Sequence, residues 1–228
     1  MLRKKAIAIG TDDFRELIEN NCYYVDKTLF IKKFFEEEIG VKVSLLTRPR
    51  RFGKSLTMSM LANFLAITNY DNPSDISKNQ KLFEGLEISK DTEFCQQYMG
   101  KYPVIFLSLK KVTGSDIFEA VAKLATLLLS VYDEYSFILE DSKISPFLKK
   151  SFNNTMDVLW NLKTNKNQSF ISTDISTLED SLYFLTELLN KYFGKNAIVI
   201  IDEYDVPVEK ARHKFYDQML DIIRNMLG

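Results

Sequence analysis

At 228 residues the chain is long enough for one sizeable α/β domain, or a domain with an extension, and its 46% hydrophobic and 27% charged residues are those of an ordinary globular protein. Thirty Lys and Arg against 31 Asp and Glu leave a net charge of −1, which excludes a global electrostatic case for nucleic-acid binding. Cys22 and Cys95 have no metal-ligand spacing, and Met1 to Gly10 lacks the apolar core of a secretory signal. The longest apolar run, Leu124 to Val131, is broken by Thr126 and Ser130 and is too short for a membrane span, so the expectation is a cytoplasmic protein.

In chain order, Thr11 or Asp12 is placed to cap a helix over 13–19 with Phe14, Leu17 and Ile18 on one face. A short β-prone piece follows, Tyr23-Tyr24-Val25-Asp26-Lys27-Thr28. A second helix, 29–38, presents Leu29, Phe30, Phe34 and Ile39 at helical spacing. Asp26 and Lys27 precede this helix. They serve either as capping and solvation or as part of an element folded over a nucleotide base. Gly40 ends the helix, and the apolar run 41–46 reads as a buried strand.

The strand leads into Thr47-Arg48-Pro49-Arg50-Arg51-Phe52-Gly53-Lys54-Ser55 and then a helix over 54–67, with Leu56, Met60, Leu61, Phe64 and Leu65 as its buried stripe. Strand, tight loop ending Gly-Lys-Ser, and helix is the context of a phosphate-binding loop. A triphosphate needs many donors converging on a small volume, and main-chain N–H groups at a helix start supply them. The candidate nucleotide-binding run is Arg51, Phe52, Gly53, Lys54, Ser55 and Leu56. Gly53 lets the backbone take unusual dihedrals. Lys54 is the candidate for the β/γ-phosphates, and the Ser55 hydroxyl is the candidate Mg2+ ligand. The first Gly of the usual pattern is replaced by Arg48, and a basic surface loop is the plainer alternative.

Asn69 to Asp75 reads as a turn-rich loop, and 76–100 as short helical pieces broken at Gly85 and Gly100. Pro103 to Leu109 reads as a fully buried parallel strand. Ser115 or Asp116 opens a helix to Tyr132 with Ile117, Val121, Leu124, Leu128 and Val131 on its apolar face. Residues 133–175 are less regular and read as a helical insertion. A capping box at Ser176 and Glu179 opens a helix to Tyr192, which Gly194 stops.

Ala197-Ile198-Val199-Ile200-Ile201 then runs straight into Asp202-Glu203. In open α/β sheets ligands sit at this end of the strands. Asp202 is the candidate Mg2+ ligand through a water, and Glu203 the candidate catalytic group that polarises the attacking water. Lys54 shares the catalytic role. The plainer reading is a buried strand reaching solvent. A last helix covers 210–227, and His213, the single histidine, reads as a surface residue.

Three segments together resemble the AAA-ATPase-like family of bacterial P-loop proteins: Tyr24 to Thr28, Arg48 to Ser55, and Ile201-Asp202-Glu203-Tyr204-Asp205-Val206-Pro207. In that family Arg48 stands at the first Gly position as a matter of habit. The resemblance implies a three-layer α/β P-loop NTPase of ASCE/AAA-like type with a mostly parallel sheet. It places an N-terminal helical element at 1–40, and an ATPase core over 41–228 with the insertion at 133–175. It implies ATP and Mg2+ as ligands, and a nuclease-like domain following in the longer protein. It further implies a core strand beyond Gly228, so that 1–228 reads as an N-terminal fragment. The function expected is an ATP-binding, ATP-hydrolysing switch or regulator. The alternative is a non-hydrolysing scaffold that recruits a partner or controls the fused domain. Arg212 and Arg224 are finger or sensor candidates by charge alone. Direct nucleic-acid binding rests only on Arg48, Arg50 and Arg51, and oligomeric state has no sequence signal.

Overall fold

The computed structural model describes residues 6–7, 10–37, 43–47, 52–164, 169, 172–212 and 214–228. It is an α/β structure, mostly helical, with a small two-stranded parallel sheet. The chain divides into two compact units, Met1–Val104 and Ile105–Gly228.

The first unit is built around an aromatic cluster. α1 (Phe14–Glu19) is capped by Asp13, whose side chain accepts from the Glu16 N–H at 2.9 Å. The sequence had Thr11 or Asp12 in that place; Thr11 instead donates its hydroxyl to Glu16 at 2.7 Å. Phe14 is fully buried, stacked on Phe83 at 5.0 Å and edge-on to Tyr24 at 5.3 Å. The 23–27 segment is not paired as a regular strand. α2 (Leu29–Glu37) turns a different face inward from the one expected. Ile31 is fully buried and Leu29 is 53% exposed, because Phe35, four residues after Ile31, packs on Phe94 and Tyr98. Ile39 lies outside the described residues.

The expected strand over 41–46 is a correction. Among the described residues, 43–47 carry no strand, and Val43 and Leu45 are exposed. An apolar run becomes a buried strand only where neighbours take up its main-chain groups, and no described strand flanks it.

α3 (Lys54–Leu65) buries Met60, Leu61, Phe64 and Leu65, and leaves Leu56 half-buried. Phe64 meets Phe83 and Phe94 at 5.3 and 5.9 Å. Its C-terminal carbonyls are closed from outside the helix. The Asn79 side chain, from α4 (Ser77–Phe83), donates to the carbonyls of Asn63 and Ala66 at 2.9 and 3.0 Å, and accepts from the Thr68 hydroxyl at 2.9 Å. Asn79 is 1% exposed, and its partners Asn63, Ala66 and Thr68 are half-buried, so the asparagine's end of all three bonds is shielded from water. Gly100, which follows α5 (Thr92–Tyr98), donates its N–H to Phe64 at 2.8 Å. A Cβ there would come within 2.7 Å of Ile76 and 3.1 Å of Asn79. Ala66 and Tyr102 then form a parallel bridge.

The second unit holds β1 (Val104–Ser108), all but its first residue, beside β2 (Ile198–Asp202). Neither strand is buried on both faces as expected. Ile105, Leu107, Ile200 and Asp202 are buried, whereas Phe106 is exposed and Val199 and Ile201 are half-buried. α6 (Ile117–Glu134) starts at a reciprocal cap: Asp116 accepts from the Glu119 N–H, and Glu119 accepts from the Ser115 N–H at 2.8 Å. The Lys123 ammonium, with Ser115, holds the Glu119 carboxyl down to about 2.

α6 packs on α7 (Pro146–Thr164) and α8 (Ser172–Phe193). Tyr132 is fully buried, 4.8 Å from Phe152, and donates its hydroxyl to the Ser181 carbonyl at 2.7 Å. Burial raises its pKa. α8 starts at Ser172, so Ser176 and Glu179 lie inside the helix and form no capping box. Every Ser, Thr and Asp over 172–177 is a competent cap by type, and the sequence cannot rank them. Glu179 instead accepts from Asn225 at 3.1 Å. The helix expected over 210–227 starts later, as α10 (Tyr216–Leu227), and a short helix not expected from the sequence, α9 (Val206–Lys210), precedes it. His213 lies outside the described residues.

Two outcomes follow from the first unit. Asn79→Ala should lower stability by about 1–3 kcal/mol in urea denaturation, since it removes the buried partner of two half-shielded carbonyls and a hydroxyl. Asn79→Asp should cost more, because its carboxylate faces those carbonyls.

The second concerns pH. Burial pushes the Asp26 carboxyl up, but the Thr28 and Glu87 amides, the Thr28 hydroxyl and the Lys90 charge outweigh it, and its pKa is lowered. A carboxyl lowered in the folded state stabilises it above the unfolded pKa and loses that effect as pH falls through the folded value. Acid unfolding followed below about pH 4 should therefore be shallower for Asp26→Asn than for the parent.

Candidate functional site

The loop and the acidic strand end belong to different units: Gly53, Lys54 and Ser55 to Met1–Val104, and Asp202 and Glu203 to Ile105–Gly228. Each is described in its own unit.

In the first, Gly53 sits at the N-cap of α3 with φ 76° and ψ 32°, the left-handed region that glycine enters without cost. A Cβ there would meet nothing within 4 Å, so the backbone angle, not space, calls for glycine. Having no side chain, Gly53 leaves the first turn uncapped by its N-cap residue. Lys54, Ser55 and Leu56 form that turn, which carries no acidic residue. The first helical bond is Thr57 N–H to the Gly53 carbonyl at 2.9 Å, and the buried Thr57 hydroxyl donates to the same carbonyl at 2.8 Å. The positive end of the α3 dipole is thus presented beside a lysine and a serine. Lys54 and Ser55 are half-buried and Phe52 is exposed. Arg48, Pro49, Arg50 and Arg51 lie outside the described residues. A cleft of about 480 Å3 in the same unit, between α4 and α5, is lined by neither Lys54 nor Ser55.

In the second unit, β2 ends at Asp202, which is 3% exposed. Glu203 follows at φ 55°, a left-handed backbone that a non-glycine residue adopts at a cost. That angle turns the chain sharply from strand to helix. The Glu203 carbonyl accepts from Val206 at 3.1 Å, Asp205 is the N-cap residue of α9, and Pro207 lies in its first turn. Glu203 itself is half-buried, while Tyr204 and Asp205 are exposed. Arg224 pairs with Asp221 at 3.4 Å on the surface, and Arg212 is exposed.

Among the described residues no group of three or more His, Cys, Asp or Glu side chains is placed to hold a metal ion. A Mg2+ that arrives with a nucleotide needs no such group, since phosphates and waters fill most of its shell. The sequence reading missed the Thr57 back-bond and the left-handed Glu203. Neither has a periodic or compositional signal.

A model of the family described as "Predicted AAA-ATPase" matches residues 8–228. A protein of Azotobacter chroococcum mcd 1 described as "Uncharacterized protein in vnfD 5'region" is 30% identical over 128 residues, 56% of this chain and 21% of that protein. The match therefore takes in about a fifth of that relative's length. No solved structure matches the chain. No described helix is long and apolar enough to cross a membrane.

Gly53→Ala tests the loop without a clash. The substitution should destabilise the start of α3 by about 1–2 kcal/mol through backbone strain alone, read as faster amide exchange at residues 54–57 with the rest of α3 little changed.

Proposed function

This chain belongs to the family of predicted AAA-ATPases, and on that premise we propose that it binds ATP with Mg2+, hydrolyses it, and acts as a nucleotide-dependent switch or regulator. One observation carries the reading. Gly53 in the left-handed region opens a 12-residue helix whose first turn is Lys54-Ser55-Leu56 with no acidic residue, the local chemistry a polyphosphate needs.

In this proposal the amides of Arg51 to Leu56 and the Lys54 ammonium hold the β- and γ-phosphates. The Ser55 hydroxyl would hold Mg2+, Asp202 would hold it through a water, and the ion when bound would neutralise charge on the phosphate oxygens. The residue types fit: a hydroxyl at a helix start and a carboxylate at the C-terminal end of a parallel strand. Glu203 orients a water and takes up its proton as the water oxygen bonds the γ-phosphorus. The bond from that phosphorus to the bridging oxygen breaks, and ADP leaves with the electron pair. Binding and release of the γ-phosphate would order and free the loops around it. A nuclease-like domain is a proposed partner of that switch.

Lys54→Ala is expected to weaken Mg-ATP binding more than about tenfold, or about 1.4 kcal/mol, by calorimetric titration. Equal affinity for parent and variant would overturn the reading. Glu203→Gln is expected to keep binding and lower phosphate release by about 10²–10⁴-fold. If the parent itself binds without turnover, the chain is a nucleotide-binding scaffold instead of an ATPase.

A further inference from the structure

The Tyr24–Thr28 segment takes no part in the proposed phosphate chemistry, yet it is bonded to the helix that carries the loop. Its residues divide between exposed side chains and side chains bonded into the unit. Tyr23 and Val25 are 64% and 59% exposed, and Lys27 is exposed with them. Tyr24, Asp26 and Thr28 are spent on contacts within the unit. The Tyr24 hydroxyl donates to the Met60 sulfur at 3.1 Å, midway along α3. Asp26 accepts from the Glu87 N–H at 2.8 Å and from the Thr28 hydroxyl at 2.7 Å. The fully buried Thr28 hydroxyl accepts from the Ile88 N–H at 3.1 Å. Just upstream, the Phe14 N–H donates to the buried Ser59 hydroxyl at 3.0 Å, and Arg15 donates twice to Asn63.

These bonds differ in place from those at the other end of α3. Asn79, Gly100 and Tyr102 hold only its C-terminal carbonyls. Ser59 and Met60, on its middle turns, and the Asn63 side chain, in its last turn, are gripped by residues 14–24. A ligand that pulls on the first turn loads a rigid rod, and the side-on contacts resist its displacement. We infer that Tyr24, Asp26 and Thr28 are positioning residues for the phosphate-binding helix, strapping α3 to the 86–90 turn so that nucleotide at Lys54 tightens the strap. By linkage, a tighter strap raises nucleotide affinity by the same factor. The inference rests on the nucleotide reading of the loop.

Amide exchange on the full chain, with and without Mg-ATP, separates the two. Slower exchange at 53–57 reports nucleotide at the loop. Slowing by at least about fivefold at Phe14, Glu87 and Ile88 in the same sample reports the strap. Thr28→Val, close in shape but without the hydroxyl, should abolish the response at Glu87 and Ile88 and weaken Mg-ATP binding to a similar degree. Thr28→Ser should restore both. Tyr24→Phe, a milder change, should lower affinity while keeping the urea midpoint close to that of the parent. Protection confined to 53–57 would overturn the strap and leave nucleotide binding standing. No protection at 53–57 would sink the nucleotide reading and the strap together.

Discussion

Two hydrogen bonds from one buried amide to main-chain carbonyls set the position of α3, and the first unit is arranged around that helix. Asn79 reaches the Asn63 and Ala66 carbonyls from a different helix. It thereby supplies donors that a helix C-terminus lacks. Gly100 and Tyr102 add main-chain bonds to Phe64 and Leu65. With its far end closed this way, α3 can afford a first turn in which the N-cap residue contributes no side chain. The aromatic cluster of Phe14, Phe64, Phe83 and Phe94 fills the space that this geometry leaves.

The second unit solves a different problem. A two-stranded sheet is marginal by itself, and here α6, α7 and α8 provide the apolar mass. Tyr132 shows how tightly they are joined: its ring packs on Phe152 and its hydroxyl on the Ser181 carbonyl, so one side chain of α6 engages both neighbours. The carboxylate end of β2 lies in the same unit, with β2 paired to β1 and set against the 109–111 turn. Asp202 is buried and the next residue turns the chain away, which concentrates acidic character at one point of the strand.

What could be read from the chain was whatever repeats or punctuates. The stripes of α3 and α6 emerge from apolar spacing, and Gly85, Gly100 and Gly194 all stand at positive φ where stops were expected. Pattern fails where a partner decides. The 41–46 run has a strand's composition, yet residues 43–47 carry no strand, since composition does not supply an edge to pair with. α2 has apolar residues on more than one face, and contact with Phe94 and Tyr98 chooses between them. At the candidate site, Gly53-Lys54-Ser55 and Asp202-Glu203 were visible as strings. Asn79 was not, because an asparagine in the polar run Ser77-Lys78-Asn79-Gln80 looks like any solvated residue until its carbonyl partners are known.

The left-handed backbone at Glu203 has a bearing on protein engineering. A redesign guided by folding energy would rank Gly or Asn above Glu there, for a gain of about 1–2 kcal/mol. That same replacement deletes the carboxylate. Position 203 is thus a place where a stability score and the chemistry proposed for it point in opposite directions, and a library built to raise heat resistance should hold it constant while that proposal is tested.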